Sequence, residues 1–177
     1  TFLRRISLDV RGLLPTVDES REFHADSSAN KRSEWIDRFL SSPEHARFWS
    51  MRMCDLLRIN KDLLSKEHAN HFSSWVLDSL LNDQPYDQFV RELLISHGNT
   101  VDSPAANFYR VTADTNTVTE TVTQLFMGSR ILCAQCHNHP YESWTQDNYY
   151  QIGAAFHEVD RKIIKAATEA ESSDRKK

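Results

Sequence analysis

The sequence predicts an all-α domain, and three observations predict it. Only 4 Gly and 5 Pro occur in 177 residues, too few chain breakers for a turn-rich sandwich or barrel. Apolar residues recur at spacings of three and four in segment after segment, the period of a helix with one buried face. No convincing run of alternating apolar and polar residues marks a strand. The length suits one domain with its own core. Hydrophobic residues make up 40% and charged residues 26%, values that argue against intrinsic disorder. Lys+Arg number 21 against 25 Asp+Glu, a net charge of -4 that argues against bulk nucleic-acid binding. No apolar run approaches the roughly 18 residues of a membrane span.

The elements follow in order. The N-terminal residues read as an irregular segment closed by Leu13-Leu14-Pro15-Thr16. Thr16 with Glu19 three residues later is a capping box, so a short helix follows to about Ala25. Asp26 to Asn30 is a polar break. Lys31 to Leu40 sets Trp35, Ile36, Phe39 and Leu40 on one helical stripe. Ser42-Pro43 starts the next helix, with Ser as N-cap, Pro at the first helical position and Glu44 in the first turn. That helix reaches about Arg58, with Phe48, Trp49, Met51, Met53, Leu56 and Leu57 as its apolar set.

Asp62 to Ala69 reads as a connector, and His71 to Leu81 as a helix carrying Phe72, Trp75, Val76, Leu80 and Leu81. Asn82-Asp83-Gln84-Pro85 is a turn. Pro85 opens a helix that ends near Gly98. Asn99 to Ala113 reads as a loop with one apolar piece at Phe108-Tyr109. Thr117 to Met127 is helical, and Gly128 ends it. Thr145 caps a last helix from about Gln146 to Phe156. The prediction is an irregular bundle of about seven or eight helices. Residues 1–160 form the single domain, and 161–177 a charged, frayed tail. Thr1-Phe2-Leu3-Arg4-Arg5-Ile6 already reads as structured sequence, so the chain reads as a piece of a longer protein.

Cysteine carries the functional signal. There are three, Cys54, Cys133 and Cys136, and an odd number is no disulfide framework. Two of them stand in Cys133-Ala134-Gln135-Cys136-His137, which the pattern sets in a loop between the last two helices. In a c-type cytochrome two thiols so spaced make thioether bonds to one haem, and the His that follows ligates the iron. Cys133 and Cys136 are thus candidate haem c attachment points and His137 the candidate proximal ligand. Zinc is the rival, with Cys133, Cys136, His137 and His139 as four possible ligands within seven residues. A redox dithiol lacks its usual βαβ setting, and a chance cluster with no cofactor stays open.

Candidate apolar walls for a haem are Phe126, Met127, Ile131, Leu132, Tyr141, Trp144, Tyr149, Tyr150 and Phe156, although most of these suit helix core equally. A second axial ligand is not decided among Met51, Met53, His45, His68, His71, His97 and His157. Cys54 reads as a small apolar core residue.

Several stretches resemble the planctomycetal cytochrome-c-like domain, a family of unknown function. They begin with Phe2-Leu3-Arg4-Arg5 through Asp9, Gly12-Leu13-Leu14-Pro15-Thr16 and Ile36-Asp37-Arg38-Phe39-Leu40. They continue through Trp75 to Leu94 and Asn107-Phe108-Tyr109-Arg110-Val111. Gln124-Leu125-Phe126-Met127-Gly128 then leads into Cys133 through Pro140, followed by Trp144 through Tyr150 and Ala154-Ala155-Phe156. The sequence departs from the pattern at Met53-Cys54 and Phe156-His157. The resemblance implies haem c, a place inside a long exported bacterial protein, neighbouring domains of that parent as partners, and a periplasmic or extracytoplasmic location.

Other chemistry is thin. Asp55 and Arg58, three apart on one helix, suit a structural ion pair. No glycine-rich phosphate loop, nucleophile elbow or His-Glu-x-x-His helix occurs, so no self-sufficient catalytic constellation is present. Electron transfer through haem is the leading expectation. A structural or carbohydrate-associated module, its Cys/His segment holding zinc or no metal, is the alternative.

Overall fold

The computed structural model describes residues 1–159 and is all-helical, with no strand among the described residues. Among the described residues nine α-helices run in order: α1 Phe2–Arg11, α2 Val17–Ala25, α3 Lys31–Leu40, α4 Pro43–Leu56, α5 Lys66–Leu81, α6 Tyr86–Ile95, α7 Phe108–Val111, α8 Thr115–Phe126 and α9 Gln146–Ala154. Two short 3-10 turns, Pro104–Asn107 and Leu132–Gln135, complete the set. The tail expected over 161–177 lies outside the described residues.

Several helix ends follow the local chemistry of their caps. The Thr16 side chain accepts from the Glu19 amide while the Glu19 carboxylate accepts from the Thr16 amide, so the capping box of α2 is complete. Ser42 caps α4 with Pro43 in its first turn, and α3 occupies Lys31–Leu40. Thr145 and Asn148 form a second reciprocal box at α9.

Several expectations need correction, beginning with the helix count, nine among the described residues against about seven or eight. The N-terminal residues are not irregular but form α1. Leu3, Ser7 and Val10 line its buried face, Arg4, Arg5 and Asp9 stay outside, and Gly12 ends it at φ 69°. The connector before α5 is shorter than read, because Ser65 caps the helix by accepting the His68 amide. The segment read as a loop from Asn99 holds the Pro104–Asn107 turn and α7. It is among the most buried stretches, with Ala105, Ala106, Asn107, Phe108, Tyr109, Val111 and Thr112 all inside.

That segment is the middle of the main core. Phe108 shares one buried cluster with Leu57, Phe72 and Val76 of the α4–α5 side, Phe89 and Leu93 of α6, and Val118 and Val122 of α8. Asn107, wholly buried, donates its side-chain amide to the carbonyls of Thr100 and Pro104 at 2.8 and 3.0 Å. A buried amide without such partners costs several kcal/mol, about 1–3 by mutational measure, so these bonds permit the polar group inside. The Tyr109 hydroxyl donates to the Leu94 carbonyl at 2.6 Å and ties the segment to the end of α6.

A second cluster joins Leu3 and Val10 of α1 to Trp35 and Phe39 of α3. Arg11 crosses its edge, 3.7 Å above the Phe39 ring, and pairs with Glu19 at 2.8 Å. Asp55 and Arg58 do not form the expected ion pair. Both are exposed, and Arg58 sits past the helix end at φ 58°, which turns it away from the i,i+3 alignment.

A third, smaller cluster joins Ile131, Ala134 and Tyr149, with Trp144 and Ile152 against it. It lies between α8 and α9 and forms the floor beneath the cysteine motif.

Candidate functional site

The motif occupies the connection from α8 to α9. Gly128, at φ 66°, ends α8 in the left-handed conformation that glycine adopts without strain. The chain then enters the Leu132–Gln135 turn, with the Ala134 amide bonded to the Ile131 carbonyl at 2.8 Å. Cys133 and Cys136 stand at either end of one tight turn, whose Cys133 carbonyl accepts from the Cys136 and His137 amides at 3.5 and 3.4 Å. The side of the turn carrying Ala134 is buried against Tyr149, while Cys133, Cys136 and His137 are exposed. Sequence spacing thus becomes geometry: the small Ala134 seats the turn, and both thiols and the imidazole are left on the outside.

The two histidines of the motif differ. His137 Nδ1 lies 2.7 Å from the Asn138 carbonyl oxygen. A carbonyl only accepts, so Nδ1 carries the proton and the Nε2 lone pair is free. That is the tautomer an iron ligand needs, with the second nitrogen oriented by a backbone oxygen. His139 Nδ1 instead accepts from the Tyr141 and Glu142 amides at 3.3 and 3.0 Å, and its own amide donates to the Trp144 carbonyl at 2.8 Å. Its neutral ring therefore holds its proton on Nε2, and the ring organises the 139–144 loop. Among the described residues no group of three or more His, Cys, Asp and Glu side chains is gathered to hold a metal ion.

The donor set consequently fits a haem c better than a four-ligand zinc cage. Two free thiols and one imidazole with a free Nε2 are the groups haem c uses. Zinc ligation by His139 through Nε2 would need the proton moved to Nδ1, breaking both amide bonds to the ring.

Of the expected apolar walls, Ile131 and Tyr149 are buried under the turn and Trp144 is half-buried. Leu132, Met127, Tyr150 and Tyr141 are exposed, Tyr141 by 94%. Phe126 belongs to the main core, where it meets Phe108, and Phe156 also packs there. Tyr149 donates its hydroxyl to Glu120 of α8 at 3.0 Å, and burial together with that carboxylate pushes its phenol well above the usual range.

The axial candidates are dispersed. Met51 is exposed on α4, and Met53 packs on the main core. His45 Nδ1 donates to the Val10 carbonyl, and His97 Nδ1 to that of Ile95. His68 is engaged by the Ser65 hydroxyl, His71 is half-buried on α5, and His157 is exposed. Cys54 is half-buried against the main core, and burial pushes its thiol up.

Sequence reasoning missed the residues that hold the turn. Gln146 donates its side-chain amide, and Tyr150 its hydroxyl, to the Gln135 carbonyl at 3.1 and 3.2 Å. The Gln146 backbone amide donates to Asn138 Oδ1 at 3.1 Å. Gln146 and Tyr150 stand four apart on α9, which puts both on one helix face; that spacing was the available signal.

Fold and site together define a helical domain that presents a Cys-x-x-Cys-His turn on its surface. The chain belongs to PSCyt2, described as a protein of unknown function (DUF1549), which it matches over residues 1–161. Curated proteins and solved structures provide no match.

Proposed function

We propose that this domain is a c-type-haem-binding electron-transfer or redox module of a larger exported bacterial protein. The observation that carries the reading is the Cys133–His137 turn itself, with two exposed thiols and an imidazole whose Nε2 is free because Nδ1 donates to Asn138. Cys133 and Cys136 would hold the haem through thioether bonds, and His137 Nε2 would ligate its iron. The haem, when bound, supplies one-electron chemistry.

The chain's own residues do the rest. Ala134, Ile131 and Tyr149 seat the turn on an apolar floor, and Gln146 with Tyr150 fixes the Gln135 carbonyl. The exposure of the turn leaves a surface at which a partner domain or redox protein can exchange electrons. Covalent haem attachment goes with an extracytoplasmic location for the parent, in keeping with the resemblance in the sequence. No helix of the described residues is long and apolar enough to cross a membrane.

The test is expression with haem-maturation machinery, denaturation, and a pyridine haemochrome spectrum. The expected result is one covalent haem per chain. No covalent haem, with stoichiometric zinc by elemental analysis, would leave the structural reading in its place.

A further inference from the structure

We infer that Asn138 is the positioning residue of this site: the first turn of α9 grips its side chain, and that grip aims its carbonyl at His137. The inference rests on the haem reading for its purpose, but on hydrogen bonds alone for its geometry.

Asn138 is joined to the site by two different atoms. Its Oδ1 accepts from the Gln146 backbone amide at 3.1 Å, and its main-chain oxygen accepts from His137 Nδ1 at 2.7 Å. Gln146 is the first residue of α9, and a first-turn amide has no partner within its own helix. Asn138 supplies the missing acceptor from outside. The Thr145–Asn148 box occupies the Thr145 and Asn148 amides, and the Gln146 amide goes to Asn138. The positive end of the helix dipole strengthens the bond to the side-chain oxygen.

The grip is doubled across the turn. Gln146 also reaches the Gln135 carbonyl with its side chain, and Tyr150 reaches the same oxygen from one turn further along α9. One helix turn thus holds the residue before Cys136 and the residue after His137. With both flanks fixed, the Asn138 carbonyl cannot swing, and the His137 ring keeps its Nδ1 proton and its outward Nε2. The site is set before any cofactor arrives. A ligand whose second nitrogen is held in this way loses less orientational freedom on binding metal.

The experiment uses the full chain, 15N-labelled and haem-free, at a pH where imidazole is neutral. Ring-nitrogen shifts report the His137 tautomer, and amide exchange reports the Gln146 bond. The wild type should show the Nδ1-protonated form and a protected Gln146 amide. Asn138→Ala should give mixed tautomers and Gln146 exchange faster by roughly tenfold, with α3 and α5 amides unchanged. Asn138→Asp keeps an oxygen acceptor and should restore both signals.

An Asn138→Ala protein with wild-type tautomer and protection overturns the inference. So does exchange accelerated throughout all helices, which is a loss of stability and not of positioning, and so does failure of Asn138→Asp to rescue. Haem-matured wild type and Asn138→Ala should differ in the iron's ligand-field spectrum at equal haem content. Wild type that takes up no haem overturns the haem reading alone, and the tautomer comparison then still decides the role of Asn138.

Discussion

Gly12 and Glu19 show how single residues secure the N-terminal half. At Gly12 the backbone has φ 69°, and a Cβ there would lie 2.2 Å from the Phe48 ring. Gly128 has a similar φ of 66° but open space around it. Both Gly→Ala changes therefore add backbone strain, while only Gly12→Ala adds a clash. In urea denaturation Gly12→Ala should cost more than about 1 kcal/mol and more than Gly128→Ala; equal losses would show that Phe48 moves aside freely. Glu19 is held below the usual carboxylate range, chiefly by its hydrogen bonds from Arg11. Its folded pKa is the lower one, so its stabilisation is whole above the unfolded value and is lost as pH falls through the folded value. Glu19→Gln should flatten the fall of stability in that acidic window, as followed by denaturation midpoints against pH. At residue scale the motif was legible because cysteine spacing is local. The different protonation of His137 and His139 was not, since it depends on which backbone atoms the loop brings to each ring.

Among the elements, the helix starts at Thr16, Ser42 and Thr145 were legible, whereas the Ser65 cap of α5 was not read from the sequence. Thr16–Glu19, Ser42–Pro43 and Thr145 each announce a helix start within four residues, and the structure places helices there. The first helix lacks such a mark, because Thr1 makes no side-chain cap bond, although Leu3, Ile6 and Val10 keep a helical spacing with Arg4, Arg5 and Asp9 on the outer face. The Pro104–Val111 segment fails for a different reason. All of it but Pro104 and Arg110 is buried, so it shows too little polar face for a period to be read. Its proline and its short pieces suggest a loop, yet it joins α5, α6 and α8. Phe108→Ala, at a position with 0% exposure, should lower stability by about 3–5 kcal/mol. Tyr141→Ala, at the exposed edge of the motif, should stay within about 0.5 kcal/mol of the wild type. Comparable losses at the two positions would contradict the core described here.

For the molecule as a whole, the all-helical class was legible from composition and apolar spacing. The division of labour inside it was not. Two larger cores build the frame from α1 to α8, and a third small one, Ile131 with Ala134 and Tyr149, carries the Cys133–His137 turn. Those contacts join residues far apart in sequence, such as Tyr149 and Glu120, which no local pattern announces. The arrangement separates stability from the site. Changes at the exposed thiols should leave the denaturation midpoint of the haem-free protein within about 0.5 kcal/mol. The most direct test of the central claim is therefore the intact mass of the denatured chain after expression with haem-maturation machinery. The account predicts a gain of one haem in the wild type and none in the Cys133→Ser/Cys136→Ser double variant, with both proteins folded. A folded wild type that emerges from that machinery at the mass of the bare polypeptide would contradict it.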